Sequence, residues 1–386
     1  MRLLTLDSST SLTAEIANRS EVSLTAIVFP DAYEELRRSD VRADIVPLSI
    51  RRKIDFRAVR RVRDVIRDVK PDVIHAFHPR PLTIATLATC GMKNAPPIVS
   101  FRGIASQLKW WDPAEWISHY HSRVAAHACE SRAVSDALVA SGVDAAKCYV
   151  TYNTAEVSRL ACPGKAALQP WGVDQNRFVV ATVAAMRWVK GTDVLLRAAI
   201  ECADLRNVTW LLVGPIMDRR IRRLVRHPAI ADRVVHTGFQ PDAAALVSGA
   251  DLFAMPSRNE ELCVAMLEAM QQGVCPIVSD AGGMKEVVRD GVDGLVVPKE
   301  DPTALALAIR TLYRDRRRRK QLAASAQQRV SEMTSPSVVV DRMLDMYAEV
   351  LGHETSVAQT VSMTDATVSI TCESTTNISE RLRNPA

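Results

Sequence analysis

What most constrains the fold of this chain is an alternation of short apolar runs with amphipathic stretches that starts, breaks off and starts again. Leu3–Leu6, Leu24–Phe29, Pro71–His75, Pro97–Ser100 and Tyr149–Tyr152 read as strands. Between them, helices are expected over about 57–69, at Ile84–Thr89 and at Ala133–Ser141, the last ending at Gly142. Strands separated by helices build a parallel sheet covered on both faces. From Thr154 to about Arg177 the chain is polar and carries Pro163, Gly164, Pro170 and Gly172, which marks a linker. The alternation resumes with a strand at Phe178–Val183, a helix at Asp193–Cys202 and a strand at Thr209–Val213. Further strands are expected at Arg233–His236, Leu252–Met255, Pro276–Ser279 and Gly294–Val297. Two such α/β sheets in succession leave a cleft between them, and open α/β sheets take ligands at the C-terminal ends of their strands.

The 386 residues suffice for two domains with a core each. A packed helix is expected at Val338–Leu351, and the Ser-, Thr- and Val-rich stretch from His353 to Ala386 reads as a disordered tail. No apolar run approaches the ~18 residues of a membrane helix, and Met1–Leu6 is too short for a signal h-region, so a cytoplasmic location is expected. The eight cysteines are scattered, without a C-x-x-C pair or a paired Cys/His spacing, so no metal site is expected. The net charge of +5 gathers in two arginine-rich runs, Arg57–Lys70 and Tyr313–Lys320. They read as two solvated helix faces or, more sharply, as peripheral attraction to an anionic membrane at its inner face. No stacking aromatics are interleaved with these charges, so nucleic acid is not an expected partner.

The chemistry concentrates in Met255–Met270. Glu260 lies in a loop after a strand, and Glu268 lies about one turn into a helix that starts near Cys263 and Val264 and stops at Gly273. The free amides and positive dipole end of that helix suit a diphosphate. The two carboxylates would stand roughly 10 Å apart, one within reach of a ribose and one within reach of a sugar. Lys190 and Arg187, in the turn after the first strand of the second half, can neutralise phosphate. The Gly282-Gly283 pair ends another strand where backbone must turn beside a ligand.

With these residues the chain resembles glycosyltransferase family 4, retaining enzymes of the GT-B fold. The family's acidic motif stands here as Glu260, Glu268, Ala269, Met270 and Gly273, its Gly-Gly-x-x-Glu as Gly282 to Glu286, and its Asp-Gly-x-x-Gly-Leu turn as Asp290 to Leu295. Lys70–His75 also matches, as does Val134-Ser135 read as preceding a helix. The resemblance implies a Rossmann-like acceptor-side domain over 1–165, a nucleotide-sugar domain over 176–335 and a crossover helix over 336–352. By it, Lys190 binds the donor diphosphate, Glu268 the ribose, and Glu260 the transferred sugar and the positive charge developing on it. Amides near Cys263 and Val264 meet the phosphates, backbone near Phe239 meets the base, and Gly283 adjoins the donor. Transfer of a hexose-type sugar from UDP-sugar or GDP-sugar to a glycan or lipid-linked acceptor is implied, without a metal or other cofactor.

This sequence departs from the pattern in four places. Glu261 and Cys263 stand for glycines, Ala185 for a phosphate-binding arginine, and Arg102-Gly103 for a His-Gly pair, while Asp7–Ser11 lacks glycines. Arg102 is a candidate for acceptor or phosphate contact, and Lys109–Trp116 for either an acceptor platform or core packing. A nucleotide-sugar or glycan binder without turnover, and a sugar-nucleotide epimerase, are the competing readings.

Overall fold

The structure is a computed structural model that describes residues 1–39, 41–50, 52, 54–154 and 162–352. The expected tail, with Cys372, and residues 155–161 of the expected linker lie outside the described residues.

The first half forms a seven-stranded sheet: β1 (Arg2–Leu6), β2 (Ser23–Val28), β3 (Ala43–Pro47), β4 (Val73–Ala76), β5 (Ile98–Arg102), β6 (Val124–Cys129) and β7 (Cys148–Val150). Its order is β3-β2-β1-β4-β5-β6-β7, all parallel. The second half forms a six-stranded sheet: β8 (Phe178–Val183), β9 (Val208–Val213), β10 (Val234–Gly238), β11 (Leu252–Met255), β12 (Cys275–Ser279) and β13 (Leu295–Val297). Its order is β10-β9-β8-β11-β12-β13, also parallel. Strand order reverses between β1 and β4 and between β8 and β11. At such switch points the loops diverge and open a crevice.

The strands read as unbroken apolar runs because both sheet faces are covered. Leu4, Leu6, Ile74 and Ile98 pack with Ala58, Val62 and Ile66 of the arginine-rich helix Phe56–Val69, whose basic side faces outward. Leu3, Leu24, Val73 and Val99 pack on the opposite face. β3 and β6 are absent from the strands read in the sequence. β3 is an edge strand containing Asp44 and ending at Pro47, and β6 is Val-Ala-Ala-His-Ala-Cys, poor in β-branched residues. Their positions in the sheet, rather than their propensities, make them strands.

The long helix Arg316–Thr334 buries Ala326, Val330 and Met333 against the second sheet's cluster. At Ser335-Pro336 the chain turns, and the helix Pro336–Val350 buries Val339, Val340, Met343, Met346 and Tyr347 on the first sheet. Full burial of each methionine contributes about 1.5–3 kcal/mol. Tyr347 Oη also lies 2.6 Å from His75 Nδ1 in β4. Burial pushes His75 down to about 3, so this is a neutral hydrogen bond that ties the crossover helix to the first half.

Candidate active site

Three loops at the C-terminal edge of the second sheet are locked together by backbone. The loop after β8 contains a short turn, Trp188–Lys190, and ends at Gly191 with φ +65°. A Cβ at Gly191 would overlap the Pro256 carbonyl oxygen in the loop after β11, so this approach requires glycine. Arg258 strengthens the same junction. Its amide donates to Val189 O at 2.8 Å, and its guanidinium holds Asp193 bidentately at 2.7 and 2.8 Å. The guanidinium also reaches Glu300 at 2.7 Å and lies 4.5 Å over the Trp188 ring. The loop after β12 closes the set. The Gly283 amide donates to Glu260 O at 3.1 Å, and a Cβ at Gly282 would strike that same carbonyl.

This clamp brings Lys190 and Glu260 together. Lys190 Nζ donates to Glu260 Oε1 at 2.9 Å and to Oε2 at 2.7 Å, and Ser257 Oγ donates to Oε2 at 3.1 Å. Glu260 is only 5% exposed. Burial disfavours the Lys190 ammonium, but the charge and hydrogen bonds of Glu260 outweigh it and raise the pKa above the usual lysine value. The pair is therefore ionic.

Next to it the helix Val264–Gln271 begins at Cys263, with no side chain capping its first amides. These amides are donors for an anion at the cleft. Burial pushes the Cys263 thiol up to about 12, so it is not a nucleophile at neutral pH. Glu268 is half-buried in the second turn of this helix. Phe239 follows β10 and is 76% exposed at the same edge of the sheet. Arg187 is exposed, and its Nε lies 3.5 Å from Met217 Sδ.

The first half supplies the facing wall. Arg102 ends β5 and donates to Ile104 O at 3.1 Å, to Ser106 O at 2.7 Å and to Ser106 Oγ at 3.3 Å, and it lies 3.2 Å from His119 Nε2. These bonds organise the following loop. Beyond it Trp110 and Trp111, and Trp116 on the short helix Pro113–Ile117, are 69%, 66% and 55% exposed, so they are surface rather than core. Glu261 Oε1 accepts from the Ala105 amide at 3.3 Å, linking this loop to the residue after Glu260. Glu286 reaches across to accept from the Arg132 and Ala133 amides at 2.8 and 3.0 Å, at the N-terminus of the helix Arg132–Ala140. Ser131 Oγ caps that helix, accepting from the Val134 amide at 3.3 Å, so Val134-Ser135 lies within its first turn, as the helix expected over Ala133–Ser141 already placed it. A carboxylate at a helix N-terminus is stabilising there.

Sequence reasoning missed Glu130. It follows β6 and is 7% exposed; its Oε1 accepts from Asn153 Nδ2 at 3.1 Å, and a Cβ at Gly103 would strike its Oε2. Burial pushes its carboxyl up to about 7. The Asn153 hydrogen bond opposes this, and the charges of Glu261 and Glu260 add to it. A carboxyl whose pKa is raised by folding stabilises the fold at low pH, and that stability is lost as pH rises from about 4.5 through about 7. Glu130→Gln is accordingly expected to raise the melting temperature by about 2–5 °C at pH 8, with the gain shrinking toward pH 5. Thermal unfolding at the two pH values checks this, and equal shifts at both would contradict it. The one signal in the sequence was an acidic residue directly after an Ala-rich run and before a Ser N-cap.

Two parallel-sheet units of Rossmann type that face each other across this cleft, bridged by a returning C-terminal helix, define the GT-B class. The family model described as "Glycosyltransferase Family 4" matches residues 13–159, and "Glycosyl transferases group 1" matches residues 165–329. The chain belongs to glycosyltransferase family 4. It is 33% identical over 188 residues to a D-inositol 3-phosphate glycosyltransferase of Salinispora tropica, a match covering 45% of this chain and 39% of the relative. It is 28% identical over 184 residues to the alpha-D-kanosaminyltransferase of Streptomyces kanamyceticus, covering 47% of each. The chain thus matches less than half the length of these relatives. Among solved structures, a glycosyltransferase from Rickettsia africae superposes with a TM-score of 0.76 at 18% identity, covering 91% of this chain and 98% of its own. Anabaena HepE in complex with UDP and glucose superposes with a TM-score of 0.73 at 22% identity, covering 90% and 99%. These two likenesses establish the fold.

Proposed function

We propose that this protein is a retaining, metal-independent glycosyltransferase that moves a hexose-type sugar from a nucleotide-diphospho-sugar to a glycan or lipid-linked acceptor. The observation that carries the reading is the buried Lys190–Glu260 pair beside the uncapped helix N-terminus at Cys263 and Val264. A diphosphate seated on those amides comes within range of the Lys190 ammonium, which then exchanges Glu260 for phosphate oxygens. Glu260, released but still fixed by Ser257 and by the Gly282-Gly283 turn, takes sugar hydroxyls and offsets positive charge growing at the anomeric carbon. Charge developing on the leaving diphosphate is met by Lys190 and the helix amides, donors already in place before the reaction. Glu268, further along the same helix, takes ribose hydroxyls, and the backbone around Phe239 takes the base. HepE has been solved with UDP-glucose, which supports a sugar nucleotide of this kind as the donor.

The exposed tryptophans, a few residues beyond the Ala105 amide that Glu261 holds, supply faces on which a saccharide acceptor can stack. The arginine-rich outer face of Phe56–Val69 would bring the enzyme to anionic lipid, as suits a lipid-linked acceptor. Among the described residues no helix is long and apolar enough to cross a membrane, so such contact would be peripheral. The test is incubation with a panel of UDP- and GDP-sugars and saccharide acceptors, followed by NMR of the product's anomeric proton. The expected result is acceptor-dependent product with the donor's anomeric configuration. Inverted product defeats the retaining mechanism, and binding of the donors without product from any acceptor defeats the enzyme reading.

A further inference from the structure

The carboxylate of Glu130 has no role in the donor chemistry just described, yet it is held in an unfavourable place. It sits on the first half, at the end of β6, buried to all but 7% and near enough to Glu260 and Glu261 for their charges to act on it. One oxygen is fixed by Asn153 Nδ2 at 3.1 Å, while the other has no hydrogen-bond partner among the described residues. That second oxygen lies where a side chain on residue 103 would be, so the chain turns past it on a glycine. Among the described residues, the groups that touch or act on the carboxyl are Gly103 after β5, Asn153 after β7, and Glu260 and Glu261 after β11. None is a cation. Burial of the carboxyl as a whole costs stability, yet this oxygen is not sealed off, so a hydrogen-bond donor from outside the chain can reach it.

We propose that Glu130 is a substrate-contacting residue whose free carboxylate oxygen receives a hydrogen bond from a hydroxyl of the acceptor at the point of transfer. The inference rests on the glycosyltransferase reading above and adds to it a named residue from the acceptor side. Position argues for the acceptor: Glu260 holds the sugar on the second half, and Glu130 opposes it from the first. Nothing in the family motifs quoted for this chain assigns the residue. A side chain kept at a cost to stability is what a substrate contact often entails. The contact also carries a pH signature, because only the ionised carboxylate accepts fully at both oxygens.

The test is steady-state transfer by wild type, Glu130→Gln and Glu130→Asp at saturating donor, with acceptor varied between pH 5.5 and 8.5. Wild type is expected to lose kcat/KM for the acceptor on the acid side with a midpoint near 7. Glu130→Gln is expected to have at least about tenfold lower kcat/KM for the acceptor, no such acid limb, and an unchanged nucleoside diphosphate affinity. Glu130→Asp, which keeps the charge and withdraws it, should retain the limb with an intermediate loss. A Gln variant with wild-type acceptor KM and pH profile overturns the proposal. If Gln fails to fold, an Asp variant with the wild-type acceptor KM and pH profile overturns it instead. Failure of wild type to bind any nucleoside diphosphate would strike the donor site itself, a different result from any of these.

Discussion

Glu260→Ala is expected to lower acceptor-dependent turnover by about 100- to 1000-fold, the scale on which a preorganised charge-stabilising group acts. Binding of the nucleoside diphosphate should survive the change and can tighten. Both Glu260 oxygens hold Lys190, at 2.9 and 2.7 Å, so diphosphate has to draw the ammonium away from an existing partner. Removing that partner frees the cation for phosphate. The variant should therefore separate chemistry from binding: initial rates fall while the Kd for nucleoside diphosphate holds or decreases. Equal loss of both would mean that Glu260 supports the fold of the site rather than the transferring sugar.

Lys190→Ala should produce the opposite pattern. Loss of a charge-assisted contact to the diphosphate weakens donor binding by about 10- to 100-fold, or about 1.5–3 kcal/mol. It also leaves Glu260 buried without its counter-ion, so the melting temperature of the free protein should fall. Lys190→Arg keeps a cation and should restore much of the stability while recovering less of the affinity, because the guanidinium is planar and longer. A Lys190→Ala variant with unchanged nucleotide affinity would remove phosphate binding from its role.

The second half was legible in the sequence almost strand by strand. Its apolar runs at Phe178–Val183, Leu252–Met255 and the others match β8 to β13 closely, because fully buried parallel strands leave little room for polar residues. The closeness of Lys190 and Glu260 was not legible. It depends on Gly191 against Pro256 and on Arg258 bridging to Asp193, contacts between loops 65 residues apart in the case of the ion pair. Arg102 illustrates the converse. Its place in the pattern made it a candidate for acceptor or phosphate contact, but its donors go to Ile104 and Ser106, so what it fixes is the loop leading to the tryptophans. Glu286 read as part of a motif, and its carboxylate turns out to cap a helix of the other half. Glu130 escaped notice because the strand before it, β6, carries too few β-branched residues to be read as a strand at all.

Isothermal titration of the wild-type protein and Lys190→Ala with UDP, GDP and ADP tests the donor site most directly. The site built from Lys190, Glu260 and the Val264–Gln271 helix predicts saturable one-to-one binding of at least one nucleoside diphosphate by wild type, weakened about 10- to 100-fold in the variant. No detectable binding of any nucleoside diphosphate by folded wild type, or binding untouched by the loss of Lys190, would contradict it.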